Sequence, residues 1–436
     1  MTTNILKEIL IEHKKAFLHK NDMVCREKLS ELVRYADMSH VTVVTGVRRC
    51  GKSSLLSLLA KKLIDAGIAS VDNILYVNYE DEKFIGFEAK NLNLVLEAYY
   101  ELNPGVHGRV FLFFDEIQQI EGWERFVNRL HSEKKYKIYV TGSNAKLLSE
   151  EIASSLTGRS NSVELMPFDF EEFLRFKNVS TGHEKILDTK DRALMKNLFN
   201  EYLNVGGFPE QLQSGKDMDV LQELYKNILH RDIIARYGIK NVTEFREFAH
   251  YVISNIASLH GYSSLARAIP SIKSINTARR YFQYLGSSFL CFGLPFFSAS
   301  LKSRARNPMK VYAIDNGLYQ QVSFRLRDPK EKLFENYVYL ELRRRKFHAS
   351  DALFYFKKNK EVDFVASNRG KIELIQVSCD VSNQQTRERE ESALLEAMDE
   401  FGIKHGLILC PDSEQLVKHG KSRIQYHPIW KWALNR

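Results

Sequence analysis

The sequence predicts an α/β fold whose first domain is a mainly parallel sheet with helices on both faces. Three observations carry that expectation. Apolar, β-rich runs at 41–45, 73–78, 110–114, 137–141 and 162–165 alternate with helical patterns, the order expected of parallel strands joined by helices. A glycine-bearing loop, Gly46 to Ser53, lies between the first strand and a helical run that starts at Ser54. The apolar run Val110–Phe114 ends on two carboxylates, Asp115 and Glu116.

The loop reads Gly46-Val47-Arg48-Arg49-Cys50-Gly51-Lys52-Ser53, followed by Ser54. Its glycines sit where the backbone must curl its N–H groups around phosphates. Lys52 brings a point charge to the outer phosphates, and Ser53 offers a hydroxyl to magnesium. The helix that follows adds the positive end of its dipole. The expected ligand is therefore ATP with Mg2+. Asp115 and Glu116 end their strand where ligands bind in such sheets. Asp115 is expected to hold magnesium with Ser53, and Glu116 to orient and polarise the attacking water.

An extra strand, 73–78, lies between the loop and the Asp115-Glu116 pair. That order resembles the NTPase branch with a catalytic glutamate, to which AAA proteins belong. In that branch Ser143 and Asn144, after Thr141-Gly142, stand where a first sensor contacts the γ-phosphate or the water. Arg159, and less strongly Arg231, are candidate fingers that stabilise transition-state charge, often from a neighbouring subunit. Further motifs recur in order: Leu156-Thr157-Gly158-Arg159, Pro167-Phe168-Asp169-Phe170-Glu171-Glu172-Phe173 and Gly206-Gly207-Phe208-Pro209. Together they resemble the prokaryotic AAA-type ATPases related to the archaeal ATPase group. The resemblance implies an ATPase domain at 1–175, a helical lid at 176–240, a winged helix at 241–318 and a C-terminal nuclease-like domain at 319–436.

The C-terminal half has its own signals. Tyr262–Arg267, a turn and Ile275–Leu285 read as helix-turn-helix, with Ala278, Phe282 and Leu285 spaced for one buried face. Lys273, Thr277 and Arg280 would then face phosphates or base edges. The stretch 296–312, bearing Lys302, Arg304, Arg306 and Lys310, is expected to be an extended basic wing. The last domain is similar to the PD-(D/E)XK nuclease fold, with Glu335 on a helix and Asp363 on a strand. On the next strand Gln376 and Ser378 fall at that fold's acidic and lysine positions. Such chemistry needs paired carboxylates and a lysine, so this site is expected to be degenerate and inactive. Arg343 and Arg344, beside Arg345 and Lys346, could still grip a phosphate backbone.

Composition sets the outer limits. The chain has 436 residues, 44% of them hydrophobic, and a net charge of +9. Residues 301–360 alone carry 15 Lys plus Arg against 6 Asp plus Glu, which suits an anionic partner such as duplex or branched DNA. Five scattered cysteines without metal spacing suit a reducing cytoplasm. No apolar run is long enough for a membrane span. The expected function is a cytoplasmic, Mg-dependent ATPase that remodels or moves DNA, as a homo-oligomer such as a hexamer. The alternatives are a nucleotide switch that binds a protein partner, and an ATP-dependent nuclease.

Overall fold

A computed structural model describes residues 2–21, 23–144, 158–179, 188–215, 219–323, 329–345, 352–368 and 370–435. Leu156, Thr157 and Lys346 lie outside the described residues. The chain forms two compact units, one of residues Met1–Met166 with Ser287–Phe289, the other of Pro167–Gly286 with Leu290–Arg436.

The first unit holds a five-stranded sheet of β1 (Val41–Thr45), β2 (Ile74–Asn78), β3 (Val110–Asp115), β4 (Tyr136–Gly142) and β5 (Ser160–Glu164). The order across it is β2-β3-β4-β1-β5, and every pairing is parallel. Successive side chains of a strand point to opposite faces, and here both faces are covered. Val110, Leu112 and Phe114 of β3 join Tyr136, Ile138 and Val140 of β4 in one apolar cluster with helices Thr3–Leu18, Leu92–Leu102 and Trp123–Ser132. On the other face Phe113 stacks on Tyr139, with ring centroids 5.0 Å apart. A parallel sheet buried on both sides needs such near-continuous apolar strands.

Lys137 is the exception on that second face, fully buried within β4. Its Nζ donates to the Met38 carbonyl at 3.2 Å and the His40 carbonyl at 2.7 Å. A neutral amine still has the two N–H bonds these carbonyls need. Burial, assisted by the nearby Arg109 charge, lowers its pKa to about 7.

The second unit contains two sheets. β6 (Ser258–His260), β7 (Cys291–Leu294) and β8 (Met309–Ala313) form an antiparallel sheet in the order β6-β8-β7. It carries helices Val242–Ser254, Tyr262–Ala268 and Ile275–Ser287. The stretch expected to be an extended wing is not wholly extended. Ser300 caps a short helix, Leu301–Arg306, by accepting from Ser303 N at 3.3 Å.

The other sheet has six strands in the order β13-β14-β12-β11-β10-β9, namely β9 (Leu353–Lys357), β10 (Glu361–Asn368), β11 (Lys371–Val377), β12 (His405–Cys410), β13 (Gln415–His419) and β14 (Ser422–Pro428). Helix Gln384–Phe401 crosses from β11 to β12, which pair in parallel. Backbone bonds from Phe297 N to Tyr355 O, and from Tyr355 N to Pro295 O, tie the segment after β7 to β9.

Two recurring motifs are structural here. Asp169 and Glu172 form a reciprocal cap at the start of helix Phe170–Phe176. Phe168 N donates to Gly207 O at 2.7 Å, and Gly207 N donates to the buried Asp315 carboxylate at 2.7 Å. A Cβ on Gly207 would lie 2.1 Å from Phe168 O, so only glycine permits this approach.

Lys137 supplies a pH test. Between about pH 7 and the ordinary 10.5, the folded chain releases a proton that the unfolded chain keeps. The unfolded state then binds more protons, so stability rises with pH. The unfolding free energy of the parent chain should gain on that of Lys137→Met across this window, by at most ~1.4 kcal/mol per pH unit. A gap that stays level from pH 7 to 10 would show that the amine remains charged in the fold.

Candidate functional site: a phosphate-binding loop facing a carboxylate pair

The loop after β1 is built by close approach. A Cβ on Gly46 would lie 2.1 Å from the Leu165 carbonyl oxygen, so the chain passes β5 with no room for a side chain. Gly51 has φ 101° and stands directly before helix Lys52–Asp65. Side chains disfavour that backbone conformation. Arg26 anchors the loop from below. Its buried guanidinium donates to Cys50 O at 2.8 Å and to Met166 O at 2.6 Å. Burial pushes the Cys50 thiol up, so it remains a neutral packing group rather than a nucleophile.

Lys52 points into the loop and is 5% exposed. Its Nζ donates to Gly46 O at 3.1 Å and pairs with Glu116 Oε1 at 3.0 Å. Burial alone would lower the Lys52 pKa, but Glu116 more than offsets it and the net direction is upward. Burial would likewise raise the Glu116 carboxyl, but Lys52, then Gln118, carry it below its ordinary value. Both groups are therefore charged.

The parallel register places β3 beside β2 and β4, so Asp115 stands opposite Asn78 at the C-terminal edge of the sheet. Tyr76 donates to Asp115 Oδ2 at 2.8 Å. Burial, then Asp115, drives the Tyr76 phenol well above its ordinary value and keeps that proton in place. The Thr141 hydroxyl donates to Asp115 Oδ1 and accepts from Glu116 N at 2.9 Å. Glu116 itself has φ 50°. This sparsely populated backbone turns its carboxylate towards the loop, where Ser143 N donates to Oε2 at 3.2 Å. Backbone strain of this kind clusters at functional sites.

Lys52, Asp115, Glu116, Ser143 and Asn144 thus meet at one edge, all buried. Gly46, Val47, Arg48, Arg49, Cys50, Gly51, Ser53 and Ser54 complete the loop and the start of its helix. Arg48 pairs with Glu80 at 2.5 Å, a partner the sequence did not suggest. The Ser143 hydroxyl is buried with no hydrogen-bond partner among the described residues. A buried hydroxyl without a partner is costly, which fits a group that completes its bonding on a ligand. Together with the space-free cradle at Gly46, it fits a bound nucleotide.

Other expected residues lie elsewhere. Arg159 is exposed at the opposite end of the sheet, where its carbonyl accepts from Val41 N at 2.9 Å. The length of β1 separates it from its own loop, roughly 15 Å at ~3.3 Å per residue. Arg231 is exposed on the π-helical segment Ile228–Ala235, in the second unit. Lys273 and Arg280 are exposed and Thr277 is half-buried on or beside helix Ile275–Ser287. Lys302 and Arg306 are exposed, while Arg304 is half-buried against the Phe354 ring.

Three residues expected to contact phosphate have partners within their own unit. Lys310 is buried among Glu335, Glu361 and Asp363. Arg344 donates to the Pro167 carbonyl at 3.2 Å, and Arg343 lies over the Phe292 ring at 4.1 Å. None of these presents a free basic face, because each is already committed to partners within its own unit. Gln376 and Ser378 are buried on β11 and just beyond it, and Gln376 faces Asp363 across the sheet.

A parallel sheet of order β2-β3-β4-β1-β5, with this loop after β1 and this carboxylate pair after β3, defines a P-loop NTPase. Residues 38–174 match the family model described as AAA domain, so the first unit carries an AAA-type ATPase domain. Residues 196–329 and 330–432 match two domains of unknown function, DUF8612 and DUF4143. The chain is 34% identical to the uncharacterized protein MJ1544 of Methanocaldococcus jannaschii, over 90% of this chain and 88% of that protein. It is 30% identical to an uncharacterized Haemophilus influenzae protein, over 82% and 88% respectively. Among solved structures, Aeropyrum pernix ORC1 in complex with DNA aligns at 11% identity and TM-score 0.31, over 71% of this chain and 94% of that one. The Saccharomyces cerevisiae Hsp104-ADP complex aligns at 13% and 0.35, over 65% and 42%. Likenesses this weak carry no functional argument.

The Lys52–Glu116 pair makes a direct prediction. An ammonium held by a carboxylate is less available to a phosphate. Glu116→Gln should therefore bind a non-hydrolysable ATP analogue more tightly than the parent, by up to about tenfold, or ~1.4 kcal/mol. Equal affinities in a calorimetric titration would show that the pair does not compete with the nucleotide.

Proposed function

We propose that the chain is a Mg2+-dependent ATPase that binds DNA and couples ATP hydrolysis to movement or remodelling of nucleic acid. The observation that supports this best is the meeting of Lys52, Asp115 and Glu116 at the C-terminal edge of the sheet. Lys52 grips the outer phosphates once Glu116 releases it. Ser53 and Asp115 hold magnesium, which when bound neutralises charge on the phosphate oxygens. Glu116, freed from Lys52, orients and polarises a water for attack. Ser143 and Asn144 supply fixed dipoles beside it, which need no reorganisation during the reaction.

Mutants should separate these roles. Lys52→Ala should lose tight ATP binding, whereas Glu116→Gln should keep it and lose turnover, by a factor on the order of 100 or more. Near-parental hydrolysis by Glu116→Gln, measured as phosphate release, would remove Glu116 from the catalytic role.

The nucleic-acid half of the proposal rests on the three helices and the β6-β8-β7 sheet, whose order of elements suits a winged helix. Lys273, Arg280, Lys302 and Arg306 are its exposed basic residues nearest the expected reading helix and wing. No described helix is long and apolar enough to cross a membrane. The free cysteines suit the cytoplasm. Arg159, remote from its own loop, acts as a finger only on a neighbouring chain's nucleotide, which calls for a homo-oligomer.

Reversing Lys273, Arg280, Lys302 and Arg306 to Glu should weaken duplex and branched DNA binding on all sequences alike. It should also flatten the salt dependence, by about one unit of log–log slope for each phosphate that is no longer neutralised. Gel shifts unchanged by this variant would remove DNA from this face and favour a protein partner.

A further inference from the structure

The carboxylate cluster on β10 and helix Lys330–Arg344 invites comparison with a metal site, yet a lysine stands in its centre. Strand β8 presents alternate side chains to opposite sides. Ala313 packs with Ile253 and Ile256 of the helical side. Lys310 and Tyr312 point the other way, and Tyr312 stacks on Tyr339 with centroids 4.2 Å apart. Lys310 Nζ then lies 2.8 Å from Glu335 Oε1, 2.8 Å from Asp363 Oδ1 and 2.9 Å from Glu361 Oε1. An ammonium has three donors and no acceptor. Each of its protons thus has one carboxylate, and the side chain is 3% exposed.

Further bonds hold the carboxylates in place. Tyr312 donates to Glu335 Oε1 at 2.7 Å, and Val377 N to Asp363 Oδ2 at 3.0 Å. Gln376, at the expected acidic position, accepts from Asp363 N at 3.1 Å and donates to Glu390 Oε2 at 2.5 Å. Glu361 has a second, weaker cation in Lys357 at 3.5 Å. Three carboxylate oxygens within 2.9 Å compensate the buried ammonium. A divalent ion needs these same oxygens at about 2.0–2.6 Å. It would have to share their centre with a fixed positive charge. The residues do not fit a metal while Lys310 is in place.

We propose that Lys310 is a resident cation that takes the place of a divalent metal in this carboxylate cluster, closing it to Mg2+ and Mn2+ and clasping the β6-β8-β7 sheet to the C-terminal sheet. Removing the ammonium should uncover it, because Glu335, Glu361 and Asp363 would then converge on an open centre. This proposal stands apart from ATP hydrolysis and DNA binding, and its test uses neither.

The test is titration of the nucleotide-free full chain with Mn2+ alone, with free ion read by electron paramagnetic resonance. The parent should show no bound Mn2+ that Asp363→Asn removes. Lys310→Ala should bind one Mn2+ per chain, Lys310→Ala/Asp363→Asn none, and Mn2+ should raise the thermal midpoint of Lys310→Ala alone. Should the alanine variant not fold, Lys310→Gln, one atom shorter but with two N–H donors and no charge, is titrated in its place. A parent chain that binds one Mn2+ lost on Asp363→Asn would overturn the proposal and restore a metal-dependent nuclease as a reading. A folded Lys310 variant that binds no Mn2+ would overturn it equally.

Discussion

An ammonium taken out of water must be given oxygens in return, and the sites around Lys52 and Lys310 are two answers to that constraint. Leaving a buried charge unpaired costs several kcal/mol, so each lysine dictates what surrounds it. Lys52 is met by the Gly46 carbonyl and the Glu116 carboxylate. Lys310 is met by three carboxylates. The difference lies in what else could take the lysine. The partners of Lys52 lie at the C-terminal edge of an open parallel sheet, where a phosphate can replace Glu116. Those of Lys310 are fixed by further hydrogen bonds within the second unit.

The same constraint explains why the strands of the first unit read as they do. Both faces of the sheet are covered, so a charge inside a strand is tolerated only with partners. Lys137 meets it by donating to two carbonyls, and burial lowers its pKa to about 7. Asp115 and Glu116 meet it by ending their strand, where Tyr76, Thr141 and Lys52 reach them. Charge is thereby concentrated at one edge of an otherwise apolar sheet. That is where electrostatic interactions are strongest, because the local dielectric is low.

These differences also decide how much could be read from the residues. The loop at 46–53 and the pair at 115–116 were legible because their demands are local. Glycines are required by a tight backbone, and an apolar strand ends on carboxylates within one short run. The order of strands followed from the same alternation. Lys310 was not legible. In Met309-Lys310-Val311-Tyr312-Ala313 the polar alternate looks like a solvent face, and its partners lie 25 to 53 residues away on other elements. Arg343 and Arg344 misled for a related reason, since a run of arginines reads as a basic patch whether or not carbonyls and rings already occupy it. Strands β13 and β14 were missed because β13 is a largely exposed edge strand with little apolar signal. Gly420, with φ 63° between them, was the available hint of a hairpin.

A burial-driven view also changes what the excess of positive charge means. The basic window 301–360 includes Lys310 and Arg343 to Arg345, and all of these are committed inside the second unit. Arg345, for example, donates to Glu341 at 3.1 Å and to Trp432 O at 2.7 Å. Among the described residues, Lys302 and Arg306 from this window, with Arg280 from outside it, are exposed and available to a phosphate backbone. Salt sensitivity scales with the phosphates actually neutralised, so net charge overstates the electrostatic footprint whenever arginines and lysines are consumed internally. The count that matters for an anionic partner is of exposed, uncommitted cations, and for this chain that count centres on the helix Ile275–Ser287 and the short helix Leu301–Arg306.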